Sequence, residues 1–182
     1  MVRRAEAKDL PKVEAIARVT WPAAYADIIP DEIQRRLLDS WYSPESLRRA
    51  LAAEGSSFFV AELAGDVIGF AQYVRRSAES VELTRIYVLP DRQRSGVGMR
   101  LLDAGLAELA TQGLKYLIVH VERDNRNVRR FYERAGLPSR ESSPKTCRDM
   151  CSRWSNTVAR SSGVNQSRKS LAVDSEGHRS TY

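Results

Sequence analysis

The chain is poor in the residues that would place it in several common classes. It has only two cysteines among 182 residues, Cys147 and Cys151, four positions apart. That excludes a disulfide-stapled fold and leaves no complete metal-ligand set, even with His178 nearby. Gly and Pro are too sparse for collagen-like or low-complexity sequence, with 10 and 7 copies. No apolar run approaches the roughly 20 residues needed to cross a bilayer. The opening residues Met1–Lys8 carry Arg3, Arg4, Glu6 and Lys8, where a secretory signal would need an apolar stretch. These absences read as a soluble, cytoplasmic protein with no membrane partner.

Excess charge is also scarce on the body of the chain. The formal net charge is +6, but residues 1–136 hold 21 Lys and Arg against 19 Asp and Glu. Residues 137–182 hold 8 against 4 and so carry most of the excess. A body without a basic face gives no reason to expect a nucleic-acid partner.

Apolar periodicity then divides the chain. Val2–Ala5 reads as a short strand, and Asp9 as an N-cap for a helix carrying Val13, Ile16, Ala17 and Trp21. Pro30-Asp31 and Ser43-Pro44 open two more helices. Phe58–Leu63, Val67–Val74 and Val81–Leu89 read as three antiparallel strands, the first two joined by a turn at Ala64–Asp66. Gly96–Thr111 is an amphipathic helix, Tyr116–Val121 a strand, and Asn125–Ala135 a last helix stopped by Gly136. Helices alternating with strands in the second half imply a mixed α/β sheet.

After Pro138 the pattern stops. Residues 139–182 hold 11 Ser but only six of Val, Leu, Met and Trp. Ordering each residue costs roughly 1–2 kcal/mol of backbone entropy, and burying one Val or Leu returns about 1.5–3 kcal/mol. Residues 138–182 therefore read as an irregular Ser/Arg-rich tail, with the sheet ending at Tyr116–Val121. The edge so exposed would offer a homodimer surface.

Two segments carry chemistry. In the first, a strand ends at Pro90-Asp91, a basic loop follows, and Gly96-Val97-Gly98 opens a helix. Small residues let successive backbone N–H groups converge on an anion, and the helix N-terminus adds partial positive charge. Arg92, Arg94 and Arg100 stand close in sequence. No Gly-Lys-Ser/Thr follows Gly98, and Leu101 stands where a dinucleotide fingerprint needs its third Gly. In the second segment Asn125 precedes Tyr132 by seven residues, two helical turns, so both can face one direction. Each alone is also ordinary: Asn125 as a helix cap, Tyr132 as a core-edge aromatic.

Together the segments resemble the GNAT family of N-acetyltransferases. Gln93–Gly98 is similar to its Gln/Arg-x-x-Gly-x-Gly/Ala loop, Leu83–Pro90 to its fourth strand, and Asn125–Leu137 to its Asn…Phe-Tyr…Gly-Phe segment. The likeness covers residues 1–137, which it makes the acetyltransferase domain. Thr20–Asp31 is similar to the first-helix region of polyamine-type members. The implied fold is a mixed, mostly antiparallel twisted sheet flanked by helices, with the family's C-terminal strands missing or replaced.

The resemblance implies acetyl-CoA as co-substrate and a primary amine, small-molecule or peptide, as acceptor. Backbone groups of Ile86, Tyr87 and Val88 would pair with the pantetheine arm, the Val88 N–H polarising the acetyl carbonyl. Arg94, Ser95, Gly96, Val97, Gly98 and Met99 would wrap the pyrophosphate. Asn125 would hold the pantetheine or a water, and Tyr132 would protonate the departing thiolate. Glu82, on a strand face with Thr84, Ile86 and Val88, and His120, where some members carry a glutamate, are the two candidate bases. Trp21 and Tyr25 are candidates to line the acceptor pocket. The missing final strands leave a second reading open, a catalytically silent acyl-CoA-binding or interaction module.

Overall fold

The computed structural model describes residues 1–26, 28–121 and 125–137, together with the backbone of 172–174. It divides into two compact units, residues 1–75 with 83–106, and residues 76–82 with 107–182.

The first unit opens with β1 (Val2–Arg4), which pairs antiparallel with β2 (Ser56–Leu63). β2 pairs antiparallel with β3 (Asp66–Arg75), with a bulge between Ala61 and Glu62. Three helices stand between β1 and β2: α1 (Leu10–Ala24), α2 (Asp31–Trp41) and α3 (Pro44–Ala52). Their apolar faces bury Val13, Ile16, Trp21, Leu38 and Leu47 with Phe58, Val60 and Phe70 of the sheet. Both predicted proline starts hold, and Ser43 caps α3 by accepting from the Ser46 N–H at 3.2 Å.

Asp9 has a different role from the predicted one. Its side chain makes no cap to α1. Instead it accepts from the Glu6 N–H at 2.8 Å and takes two hydrogen bonds from the Arg3 guanidinium. A buried carboxylate needs a full counter-charge, and Arg3 is within reach where the α1 amides offer only partial charge. The bonds from Arg3 hold Asp9 below the usual carboxylate range.

β4 (Ser80–Val88) and α4 (Val97–Thr111) each run through both units. Two glycines let them pack in the first. A Cβ on Gly69 of β3 would lie 2.9 Å from the Tyr87 carbonyl and 3.1 Å from Val88 Cγ2. A Cβ on Gly105 of α4 would lie 2.1–2.4 Å from the Tyr73 ring. That ring sits against the helix with its hydroxyl donating to the Leu101 and Leu102 carbonyls at 3.2 and 3.3 Å.

In the second unit Ser80–Glu82 of β4 pairs parallel with Tyr116–Ile118 of β5 (Tyr116–His120). α5 (Arg126–Arg134) follows, and Gly136 beyond it has a positive φ of 79°. Ala172–Asp174 forms β6, pairing parallel with Ile118–His120 of β5. The expectation that the sheet ends at β5 is thus corrected. An unpaired β5 edge offers backbone donors and acceptors to any extended segment. Three residues can take them through backbone groups alone. The free edge that suggested a homodimer surface is accordingly occupied along Ile118–His120. Cys147, Cys151 and His178, and the rest of the tail, lie outside the described residues.

The mixed α/β class and helix-flanked, mostly antiparallel strands are as expected. No described helix is long and apolar enough to cross a membrane.

Candidate active site

In the first unit β4 leads into the loop. The Leu89 N–H donates to the Ile68 carbonyl at 3.0 Å, and the Tyr87 carbonyl faces Gly69. Backbone groups alternate in direction along a strand. Ile86 and Val88 therefore turn their amides to the edge away from β3. The Val88 carbonyl on that edge accepts from Gln93 Nε2 at 3.1 Å, which ties the strand end to the loop.

The loop itself folds through a short 3-10 turn at Pro90–Arg92. Arg94 and Gly96 then adopt positive φ of 59° and 79°. A non-glycine residue in that region is strained by about 1–3 kcal/mol. The turn places Gly96 just before the helix, where its carbonyl accepts from the Arg100 N–H at 3.0 Å. The N–H groups of Val97, Gly98 and Met99 then belong to the first turn of α4, where an α-helix supplies no acceptor. Ser95 donates to the Arg92 carbonyl at 2.7 Å, tightening the loop. Arg92, Arg94, Ser95, Gly96 and Arg100 are all exposed. Left-handed residues ahead of a helix N-terminus can make an anion-binding concavity.

Also in the first unit, Trp21 is the centre of an aromatic cluster. Ring centroids of Tyr25, Trp41, Tyr42 and Tyr87 lie 4.8, 5.8, 6.0 and 6.5 Å from it. The Tyr25 and Tyr87 hydroxyls are 3.3 Å apart. Gln34 of α2 donates to the Ile29 and Tyr25 carbonyls at 2.8 and 3.3 Å, holding the chain just after α1. Trp21 and Tyr25 are therefore together with Tyr87 of β4, and Trp21 is only 2% exposed. Burial, with Tyr42 and Tyr25 close by, pushes the Tyr87 phenol well above its ordinary value. It remains a neutral hydroxyl at neutral pH and has no capacity as a base.

The second unit holds the remaining predicted residues. Glu82 is in an ion pair with Arg76 across the β3–β4 turn. His120 is exposed at the end of β5. Asn125 is 7% exposed and caps α5, its Oδ1 accepting from the Val128 N–H at 3.2 Å. Tyr132 is 4% exposed and stacks edge-on to Phe131 at 5.0 Å. Among the described residues no cluster of His, Cys, Asp and Glu could hold a metal ion.

Sequence reasoning missed Trp41, Tyr42, Arg85 and Gly69. Gly69 interrupts an apolar strand, which is itself a signal of close backbone approach. Arg85 shares a strand face with Leu83 and Tyr87, which period-2 reading shows, but that placement carries no sign of function.

A family model described as the acetyltransferase (GNAT) family matches residues 13–137. The chain belongs to that family. It is 33% identical over 113 residues to a mycothiol acetyltransferase of Streptomyces coelicolor, covering 60% of this chain but 32% of that protein. The chain thus spans about a third of that relative's length. It is 30% identical over 136 residues to an uncharacterised N-acetyltransferase of Bacillus subtilis, covering 70% of this chain and 74% of the relative. Among solved structures, the PaiA N-acetyltransferase of Thermoplasma acidophilum, in complex with coenzyme A, superposes with a TM-score of 0.73 at 24% identity. That match covers 79% of this chain and 92% of the other.

Proposed function

We propose that the protein is an acetyl-CoA-dependent N-acetyltransferase that acetylates a primary amine by direct attack in a ternary complex. The observation that carries this reading is the first unit's continuous run of backbone donors. Ile86 and Val88 face the side of β4 away from β3, and the strained loop then leads into the first turn of α4. An extended pantetheine arm suits the strand edge, and a pyrophosphate suits the loop.

In the reaction the unprotonated amine nitrogen attacks the thioester carbonyl carbon. Negative charge gathers on the carbonyl oxygen, and the Val88 N–H is aligned to stabilise it. The C–S bond then breaks, and the coenzyme A thiolate takes a proton as the new ammonium loses one. We assign that donation to Tyr132 and ligand positioning to Asn125, on the family likeness. Glu82 and His120 remain the candidate bases. The Arg76 pair leaves Glu82 less available, whereas His120 is open to solvent. The acceptor is a small-molecule or peptide amine; the polyamine likeness rests on Thr20–Asp31 alone.

The tethering of Glu82 also favours a second reading, an acyl-CoA-binding module without turnover. Free-thiol release, measured with acetyl-CoA and a broad amine panel, separates the two. Amine-dependent release of coenzyme A supports the enzyme. Acetyl-CoA binding with no release from any amine supports the silent module.

A further inference from the structure

Arg85 stands in the aromatic cluster with its charge unmatched. Its Cζ lies 4.6 Å from the Tyr42 ring centroid, and Nη2 donates to the Trp41 carbonyl at 3.2 Å. Its Nη1 is buried and has no hydrogen-bond partner among the described residues. Arg85 makes no ion pair with any described residue. Among the described residues, the charged or titratable groups acting on Tyr42 and Tyr87 are Arg85 and the neighbouring phenols, with no carboxylate among them. The cluster reaches the surface, since Trp41 is 47% exposed and Tyr25, Arg85 and Tyr87 are half-buried.

A guanidinium donor left without an acceptor is costly, and stacking on Tyr42 offsets only part of that cost. An acceptor amine also reaches this cluster mostly as a cation. It would meet a fixed positive charge and, among the described residues, no carboxylate acting on Tyr42 or Tyr87. A polycation is therefore disfavoured, whereas an amine that brings its own anion resolves both problems. We propose that the acceptor is a carboxylate-bearing amine of amino-acid type, and that Arg85 is the residue that recognises its carboxylate. Arg85 is two residues from Tyr87 on one face of β4 and three from Val88, so the same strand would carry the carboxylate contact and the amide aimed at the acetyl carbonyl. This proposal rests on the acetyltransferase reading above.

The test compares kcat/KM, by coenzyme A release, for α-amino acids, ω-amino acids of graded length, the matching ω-amino carboxamides, and a linear polyamine. The ω-amino acids and their carboxamides have similar amines, so their ratio isolates the carboxylate. The best acid should exceed its carboxamide by about 10- to 100-fold, the range of a charge-assisted hydrogen bond. Arg85→Met keeps an aliphatic stem over Tyr42 and should erase that ratio through KM, with acetyl-CoA affinity unchanged. Arg85→Lys should restore it only in part, lacking the planar fork. Equal rates for acid and carboxamide, or a preference for the polyamine, would overturn the proposal and leave the acetyltransferase reading standing. An Arg85→Met effect equal on all acceptors would also overturn it. No release from any amine would overturn both. If Arg85→Met fails to fold, the wild-type acid-to-carboxamide ratio decides alone.

Discussion

Gly96→Glu separates binding from folding, because Gly96 combines open space with a demanding backbone. A Cβ built there meets no atom within 4 Å, so the substitution creates no clash. Its φ of 79° costs a non-glycine residue about 1–2 kcal/mol. For a chain of this size that corresponds to a fall of roughly 2–8 °C in Tm. The effect on the ligand is larger. A carboxylate about 5 Å from one phosphate charge, at an effective dielectric of about 20, is repelled by about 3 kcal/mol. Diphosphate doubles the charge, so acetyl-CoA affinity should fall by at least about 100-fold. Gly96→Ala carries the same backbone cost without the charge and should lose far less. Calorimetric titration of acetyl-CoA into the three proteins, with thermal melts beside it, gives both numbers. If Gly96→Glu melts within that window and binds acetyl-CoA like the wild type, the loop is not the pyrophosphate site.

Tyr132→Phe removes only a hydroxyl and should lower kcat more than acetyl-CoA affinity; equal kcat, with chemistry shown to be rate-limiting, would make Tyr132 a packing residue. Gly105→Ala forces a methyl into the Tyr73 ring and should destabilise the fold by about 1–3 kcal/mol or more, read by urea denaturation. Tyr73→Leu should make Gly105→Ala less costly; additive losses would refute the contact as the cause. Asp9 is held below its ordinary range chiefly by its Arg3 hydrogen bonds, so its contribution is present above the unfolded value near 3.9 and is lost as pH falls through the lower folded value. The stability gap between wild type and Asp9→Asn should therefore be wide at pH 7 and close on acidification below about pH 4; a gap independent of pH would refute the pairing.

What was legible in the sequence was whatever obeys a local rule. Pro30, Ser43 and Gly136 mark element ends through backbone geometry, and the elements begin or stop within a few residues of them. The loop at Gln93–Gly98 was legible because two left-handed residues and a helix start need that pattern. Asp9 was misread because its partner, Arg3, outcompetes the cap that its position suggests. Trp41, Tyr42 and Arg85 left no local signal of function. Their significance lies in rings and a guanidinium from α2, the residue after it and β4 meeting around Trp21, which no single stretch of sequence records. β6 was missed for a related reason. Counting apolar residues measures what a core strand gains, and an edge strand gains backbone hydrogen bonds instead.

The two units divide the proposed chemistry unevenly. The amides of Ile86 and Val88, the Gln93–Gly98 loop, the aromatic cluster and Arg85 all belong to the first. Its rigidity has identifiable sources: Gly69 lets β4 press on β3, and Gly105 lets α4 close over Tyr73. The strain at Arg94 is thus carried by a scaffold fixed on both sides of the loop. Glu82, His120, Asn125 and Tyr132, the groups proposed to move protons or position the ligand near them, all belong to the second, whose last described strand is only three residues long. Binding of the nucleotide end of acetyl-CoA then depends on the well-buttressed part of the chain. Proton transfer is assigned to the unit whose β5 edge takes up Ala172–Asp174. Changes in residues 138–182 should accordingly act on kcat before they act on affinity for acetyl-CoA.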